Sequence, residues 1–237
     1  MRFSGFVVGL GALLAAGSAD ASVIFDNITG IKSGGVFSLA AGPGGSPLGH
    51  SFAVTGPSVI TSVTVSLSAS FNSDGGFILV YLVPNTASNF PSSVGTVLTN
   101  KTLLGTIPDS TLTAPDATLT TNKETLTTNK SVAAGTFWIE LVNSSDTANG
   151  SNGTASSAAW AFDTNGGGIG TSGQFNSTTN GSNGFSSDPD AGGPSFQMIV
   201  QATANGTSVP EPASLAVLGV GLVGLRLARR GRKPSRG

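Results

Sequence analysis

Residues 59–71 alternate between apolar and hydroxyl-bearing side chains, and this period of two is the strongest constraint on the fold. The apolar positions share one parity: Val59, Val63, Val65, Leu67, Ala69 and Phe71. The other parity carries Ser62, Thr64, Ser66, Ser68 and Ser70. Because successive side chains of a β-strand point to opposite faces, the pattern predicts a strand with one face on a core and one in water.

Further segments also have strand patterns. Residues 77–83 are apolar at every position, which is typical of a strand covered on both faces. Residues 137–141, 160–162 and 196–201 alternate in polarity or size. The turn signal Asp74-Gly75-Gly76 predicts that the first two strands pair as a hairpin.

The body of the chain has no sustained helical periodicity with capping residues, and Ser, Thr, Val and Gly dominate it. We therefore predict an all-β fold, an antiparallel β-sandwich that is jelly-roll-like. The Asn-, Gly- and Ser-rich residues 143–157 and 164–195 are predicted to be long loops.

Composition excludes several classes of function. The chain has no Cys and a single His, so a structural zinc site, a thiol nucleophile and a multi-histidine metal centre are excluded. Residues 22–209 carry four Lys, no Arg and ten carboxylates, a net charge of −6. A protein that neutralises phosphates needs clustered Lys and Arg, so we expect no nucleic-acid partner.

The N-terminus has the three parts of a secretory signal peptide. Arg2 precedes an apolar run over residues 6–16, and small residues end at Ala19-Asp20-Ala21. This order predicts a signal peptide over residues 1–21, cleaved after Ala21 by signal peptidase during export.

The C-terminus combines a short motif, an apolar run and a basic tail. Val209-Pro210-Glu211-Pro212 precedes thirteen uncharged residues, 213–225. As a helix this run spans about 20 Å, or about 24 Å if it extends to residue 228, against a hydrocarbon core of about 30 Å. Three glycines weaken it further. We expect a marginal membrane helix over 213–228. The basic cluster at the end of this segment should stay cytoplasmic: Arg226, Arg229, Arg230, Arg232 and Lys233.

These three elements together closely resemble the PEP-CTERM sorting signal of exported bacterial proteins. The resemblance implies a Gram-negative host that makes extracellular polysaccharide, recognition by an exosortase at the inner membrane, and removal of the tail. It implies that Pro210, Glu211 and Pro212 are the recognition element and that Arg226, Arg229 and Arg230 stop transfer.

The body is also similar to the choice-of-anchor β-domains that precede this signal. The similar segments are Val23–Asn27, His50–Phe52, the predicted hairpin over 60–81, residues 135–139 and the last strand at Phe196. That family has no assigned chemistry, so the resemblance implies a fold and no activity.

Candidate catalytic groups are few. His50 beside Ser51 could form half of a nucleophilic pair, but no G-x-S-x-G elbow is present, so we expect a structural His. Paired acids could hydrolyse glycosides. The available carboxylates are Glu124, Glu140, Asp163, Asp188 and Asp190. Glu140 lies in an apolar strand, where we expect it on the solvent face.

Candidate binding features have simpler structural explanations. Asp163-Thr164-Asn165-Gly166 and Ser187-Asp188-Pro189-Asp190 offer oxygen ligands for calcium, but ordinary Asx turns explain both. The repeat of residues 118–123 at 125–130 could present threonines to ice or a glycan, but a duplicated edge strand or loop is favoured. The three aromatic residues that could stack on sugars are expected in the core: Tyr81, Trp138 and Trp160.

The sequence thus predicts a signal peptide (1–21), a β-sandwich (22–206) and a sorting signal (207–237). We expect a non-enzymatic protein of the cell surface or extracellular matrix, with no cofactor, catalytic residue or metal ligand. Its partners are expected to be the export machinery, an exosortase, the inner membrane for a short time, and extracellular polysaccharide. The alternatives are a carbohydrate-binding module, with or without calcium, a glycan-cleaving enzyme, or an ice-binding protein.

Overall fold

The alternating segments form antiparallel sheets. A computed structural model describes residues 20–29, 34–39, 41, 47–69, 75–87, 91–94, 97–114, 122–163, 174–177, 186–189 and 195–205. They belong to one unit, Asp20–Asn205. The predicted membrane helix over 213–228 lies outside the described residues, and within them no helix is long and apolar enough to cross a membrane.

The described residues are almost entirely strands and their connections. In chain order the strands are β1 (Ser22–Asp26), β2 (Gly35–Ser38), β3 (Leu48–Val54), β4 (Ser58–Ala69), β5 (Phe77–Pro84), β6 (Ser93–Val94), β7 (Val97–Leu98), β8 (Thr102–Pro108), β9 (Asn122–Val132), β10 (Gly135–Asn143), β11 (Ala158–Asp163), β12 (Gln174–Ser177), β13 (Ser186–Pro189), β14 (Ser195–Phe196) and β15 (Met198–Ala204). Two short 3₁₀ turns lie at Asp109–Thr111 and Thr147–Asn149. The prediction of an antiparallel β fold is confirmed.

Two large sheets enclose the main core. The first has the order β1-β15-β4-β11-β14, with β2 on β11 and β9 on β4. The second has the order β13-β12-β3-β10-β5-β8. Each contributes its inward side chains to one apolar cluster, including Ile60, Val63, Val65 and Leu67 from β4, and Ile78, Val80, Ile139 and Leu141 from β5 and β10. Burial of this shared apolar surface is what holds the sheets together.

Strand β5 is covered on both faces, as its continuous apolar sequence predicts. Ile78, Val80 and Leu82 face the main core. The alternate residues join a second apolar group, here called the outer cluster: Leu79, Tyr81, Val83, Leu98, Trp138 and Val142. The far face of the second sheet is therefore also a packed interior.

The predicted hairpin of β4 and β5 is wrong, because the two strands lie in different sheets. Strand β4 already has β15 and β11 along one edge and β9 along the other. Strand β5 instead pairs with β10 and β8. Between β4 and β5 the chain therefore passes from one sheet to the other.

A bulge in β4 changes which side chains face the core. The register with β15 shifts between Ile60 and Ser62, so Thr61 is the extra residue. Ile60 is fully buried, whereas Val59, predicted on the core face, is only half-buried. An extra residue inverts the inside–outside alternation on either side of it. On the other face of β4, Ser66 and Ser68 are predicted to lie in water, but both side chains are buried.

The two predicted loops have different outcomes. Residues 144–157 contain no strand and only one short 3₁₀ turn, so that prediction is confirmed. The second segment, 164–195, contains β12 and β13, so its prediction as a loop throughout is wrong. Strand β12 pairs with β3, which places β3 inside the sheet.

Candidate functional site

The two ends of the described unit lie side by side. Ser22, the first residue of β1, is opposite Ala202 on β15. Ala21 is exposed and precedes the first paired residue. Ala19 and the sorting residues lie outside the described part: Val209, Pro210, Glu211, Pro212, Arg226, Arg229, Arg230, Arg232 and Lys233. The segments before Ser22 and after Asn205 are therefore joined to adjacent strands of one sheet.

His50 is an interior residue. It is fully buried on β3, and its ring packs 5.1 Å from that of Phe25. Nδ1 lies 2.8 Å from the carbonyl oxygen of Ser51 and donates to it. Burial lowers the pKa of His50 to about 4. The expectation of a structural His is supported, and β3, which carries it, lies inside its sheet between β12 and β10.

Glu140 lies in the interior, which corrects the expected solvent position. Its side chain is fully buried. It shares the parity of Trp138 and Val142 on β10 and is opposite Tyr81 on β5, so it lies on the face covered by the outer cluster. Of the other predicted acids, Glu124 is half-buried on β9, Asp163 ends β11, Asp188 lies in β13, and Asp190 is outside the described residues.

The proposed calcium ligands lie partly in strands. Asp163 pairs with Ser195 between β11 and β14, and Asp188 pairs with Phe175 between β13 and β12. Across the described ranges, no three His, Cys, Asp or Glu residues converge as a metal site would require.

The two tryptophans are core residues, as predicted. Both are fully buried. Trp160 stacks on Phe196 at 4.7 Å, and its Nε1 donates to the carbonyl oxygen of Gln197 at 2.8 Å. Trp138 Nε1 donates to Asn85 Oδ1 at 2.8 Å. Tyr81 is 7% exposed. None of the three offers an open face to a sugar.

The threonine repeat forms an edge strand in its second copy. Within the described part of the chain, β9 pairs with β4 alone. Its residues alternate between half-buried and exposed. Thr125 Oγ1 and Thr64 Oγ1 are 2.8 Å apart, a cross-strand hydrogen bond. The first copy lies mostly outside the described residues.

The loop over residues 144–157 contains a polar cluster that the sequence did not predict. The side chains of Asp146 and Asn149 are fully or almost fully buried, at 1% and 0% exposure. Asp146 Oδ1 accepts from the backbone N–H groups of Ala148 and Asn149. Asp146 Oδ2 accepts from Asn149 Nδ2 at 2.7 Å. These bonds close the 3₁₀ turn and fix the orientation of the Asn149 amide.

Lys101 completes this group, which we call the Lys101 cluster (Tyr81, Leu98, Lys101, Asp146 and Asn149). Lys101 Nζ lies 4.9 Å from the centre of the Tyr81 ring and donates to the Asn149 carbonyl oxygen at 2.5 Å. Burial lowers the pKa of Lys101, although Asp146 acts in the opposite direction. Burial and the Asp146 charge both raise the pKa of Tyr81. No short sequence motif marks residues so far apart in the chain.

Comparison with known proteins finds a C-terminal sorting motif and a solved structure of low sequence identity. No curated protein matches this chain. The crystal structure of the cysteine protease and lectin-like domains of Cwp84, a surface layer associated protein of Clostridium difficile, is similar to it at 15% sequence identity and a TM-score of 0.41. The similarity covers 68% of this chain but only 32% of that one. Residues 208–233 match the PEP-CTERM protein-sorting motif, so the chain carries the C-terminal signal of an exosortase-sorted, exported protein.

Proposed function

We propose that this chain is a non-enzymatic protein of the cell surface or extracellular matrix, delivered through the inner membrane and processed there by an exosortase. The PEP-CTERM motif at residues 208–233 is the observation that supports this function. In the proposal, Pro210, Glu211 and Pro212 are recognised, the apolar run over 213–228 holds the precursor briefly, and the basic tail keeps its end in the cytoplasm.

Residues 22–206 are the part of the protein that we propose remains after processing. We propose a jelly-roll-like sandwich of the choice-of-anchor type, released from its signal peptide at the Ala21–Ser22 bond. Ala21 is exposed and immediately precedes Ser22, the first paired residue of β1, so the proposed bond lies at the boundary of the sheet. Extracellular polysaccharide is the proposed surrounding material.

The test is processing in cells that make an exosortase. Glu211→Ala should leave unprocessed precursor in the inner membrane, whereas wild type should lose its tail and leave the membrane. Glu124→Ala is the matched control, because it removes a carboxylate from the edge strand β9 and should be processed normally. Fractionation followed by mass spectrometry of the C-terminus distinguishes the two states.

Equal fractionation of Glu211→Ala and wild type would contradict the proposal. A second variant that ends at residue 225 lacks the basic tail. Its unprocessed precursor should also accumulate in the inner membrane. If both variants reach the medium with the same C-terminus as wild type, the motif has no sorting role.

The carbohydrate-binding alternative has less support. Stacking on sugars needs an accessible aromatic face. Trp138 and Trp160 are both buried, so neither indole can provide it. A glycan-cleaving site would need two acids around one bond, and Glu140 and Glu124 lie in different sheets.

A further inference from the structure

The geometry points to an internal amide bond between the side chains of Lys101 and Asn149, formed by the protein itself after folding. The Lys101 cluster holds an amine, a carboxamide, a hydrogen-bond donor on the carboxamide oxygen, and a carboxylate on the carboxamide nitrogen. These are the four parts that an acyl-transfer reaction requires. The proposal does not depend on how the chain is sorted.

The amine and the carboxamide are already in contact. Lys101 Nζ lies 3.4 Å from Asn149 Oδ1 and donates to the backbone carbonyl oxygen of the same residue. Reacting atoms in a near-attack arrangement are about 3–3.5 Å apart. The atom that Nζ attacks is Asn149 Cγ, which is bonded to Oδ1, so the reaction requires a rotation of the lysine side chain that moves Nζ from the oxygen to the carbon.

The carboxamide is held at both ends. The backbone N–H of Leu98 donates to Asn149 Oδ1 at 2.8 Å. A donor at this position stabilises the negative charge that develops on the oxygen when an amine attacks the carbon. Asp146 Oδ2 accepts from Nδ2 at 2.7 Å, so a carboxylate is in direct contact with the leaving nitrogen. The two contacts also define which atom of the amide is oxygen and which is nitrogen.

Burial moves the Lys101 amine toward its neutral, nucleophilic form. The cluster borders the outer cluster, where Tyr81, Leu98 and Trp138 are buried. The Tyr81 ring beneath Nζ and the charge of Asp146 act in the opposite direction, because both stabilise the cation. Burial lowers the pKa of Lys101, which raises the fraction of unprotonated amine.

The reaction balances without any further reactant. The Nζ lone pair attacks Asn149 Cγ, a Nζ–Cγ bond forms, and the Cγ–Nδ2 bond breaks. Asp146 accepts one proton from Nζ and delivers it to Nδ2, which leaves as ammonia. The carboxylate is regenerated, and the product is a secondary amide. The bond would cross-link the start of β8 to the loop over 144–157. The chain has no Cys, so no disulfide can do this.

Tryptic mapping of the mature protein tests the bond directly. Within residues 22–209 trypsin can cleave after Lys32, Lys101, Lys123 and Lys130, and it does not cleave after an acylated lysine. We expect no peptide that begins at Thr102. We expect instead a branched peptide in which Lys101 is joined to Asn149, lighter by one ammonia than the sum of its two parts.

Three variants separate the chemistry from the fold. Lys101→Arg keeps a cation over Tyr81 but removes the nucleophile, so trypsin should cleave this variant immediately before Thr102. Asp146→Asn keeps the size of the side chain and should slow cross-linking about 100-fold or more, the usual contribution of general acid–base catalysis. Asp109→Asn is the matched control, since Asp109 is also fully buried but bonds to Ser156 outside the cluster. It should keep the branched peptide.

A wild-type digest that yields the unmodified peptide Thr102–Lys123 in full amount, with no branched peptide, would overturn the proposal without any variant. A branched peptide that persists at the wild-type rate in Asp146→Asn would overturn the role assigned to that carboxylate.

Discussion

Burial of His50 makes the stability of the protein depend on pH. The pKa of His50 is lowered from 6.5 to about 4, so the unfolded chain binds a proton first as pH falls. Stability is therefore fully present above pH 6.5 and is lost progressively between pH 6.5 and 4, by about 3 kcal/mol in all. His50 is the single His of the chain, so the other groups that titrate in this pH range are carboxylates.

Urea denaturation at a series of pH values checks this prediction. His50→Gln keeps a donor for the Ser51 carbonyl oxygen but cannot titrate. The slope of unfolding free energy against pH between 7 and 5 should be smaller in the variant than in wild type. Equal slopes in the two proteins would show that His50 is not the group responsible.

Trp160 and Trp138 are equally buried but have different hydrogen-bond acceptors. Trp160→Phe removes one of two donors to the buried carbonyl oxygen of Gln197, which keeps the Ser66 N–H, and we expect a loss of about 1.5 kcal/mol for this hydrogen bond. Trp138→Phe removes the donor to Asn85 Oδ1, which belongs to a half-buried side chain that water can reach, so we expect a loss of about 1 kcal/mol for this hydrogen bond. Denaturation midpoints compare the two losses, and a larger loss for Trp138→Phe would contradict the argument.

At the scale of elements, the loop over 144–157 packs against the residue before β5. A Cβ added at Gly76 would lie 2.6 Å from both Ala155 O and Ser156 Cα. Both are backbone atoms that cannot move away without displacing the loop, so Gly76→Ala should cost about 2–3 kcal/mol. Gly56→Ala is the control, since nothing lies within 4 Å of its added Cβ. We expect it within about 0.5 kcal/mol of wild type. Thermal unfolding measures both, and similar midpoints for the two variants would contradict this packing.

The sequence predicted strands better than it predicted their neighbours. Seven consecutive apolar residues identified β5 as covered on both faces, because no position was left for water. The turn at 74–76 could not distinguish a hairpin from a crossing between sheets, since both need only a change of direction. The bulge at Thr61 depends on the register with β15, which lies far away in the chain.

The same limit applies to the candidate sites. The alternation in β10 correctly placed Glu140 opposite in parity to Ile139, but it could not show that the second face is covered. That cover comes from Leu98 and the loop over 144–157, which have no hydrophobic periodicity. The Lys101 cluster joins residues from three separate segments, so local spacing carries no signal for it. The sorting motif was recognisable because its parts are contiguous.

At the scale of the whole molecule, the pairing of β1 with β15 brings the ends of the described unit together. Ser22 is opposite Ala202, and paired strands are about 4.8 Å apart. Asn205 is three residues beyond Ala202, so a linker of about six residues can join it to Ser22 at about 3.3 Å per residue. A circular permutant that joins these ends and opens between Ala133 and Ala134, both exposed, should keep the fold.

The control permutant opens between Tyr81 and Leu82, inside β5, where both faces are buried and both edges are paired. Its new charged termini would lie in the interior, so we expect it not to fold. Circular dichroism and denaturation of the two permutants provide the comparison. If the Ala133–Ala134 permutant is no more folded than the control, the adjacency of the two ends is wrong. If it folds with strand content like that of wild type, then residues 22–205 fold without the predicted signal peptide before them and without the sorting segment after them.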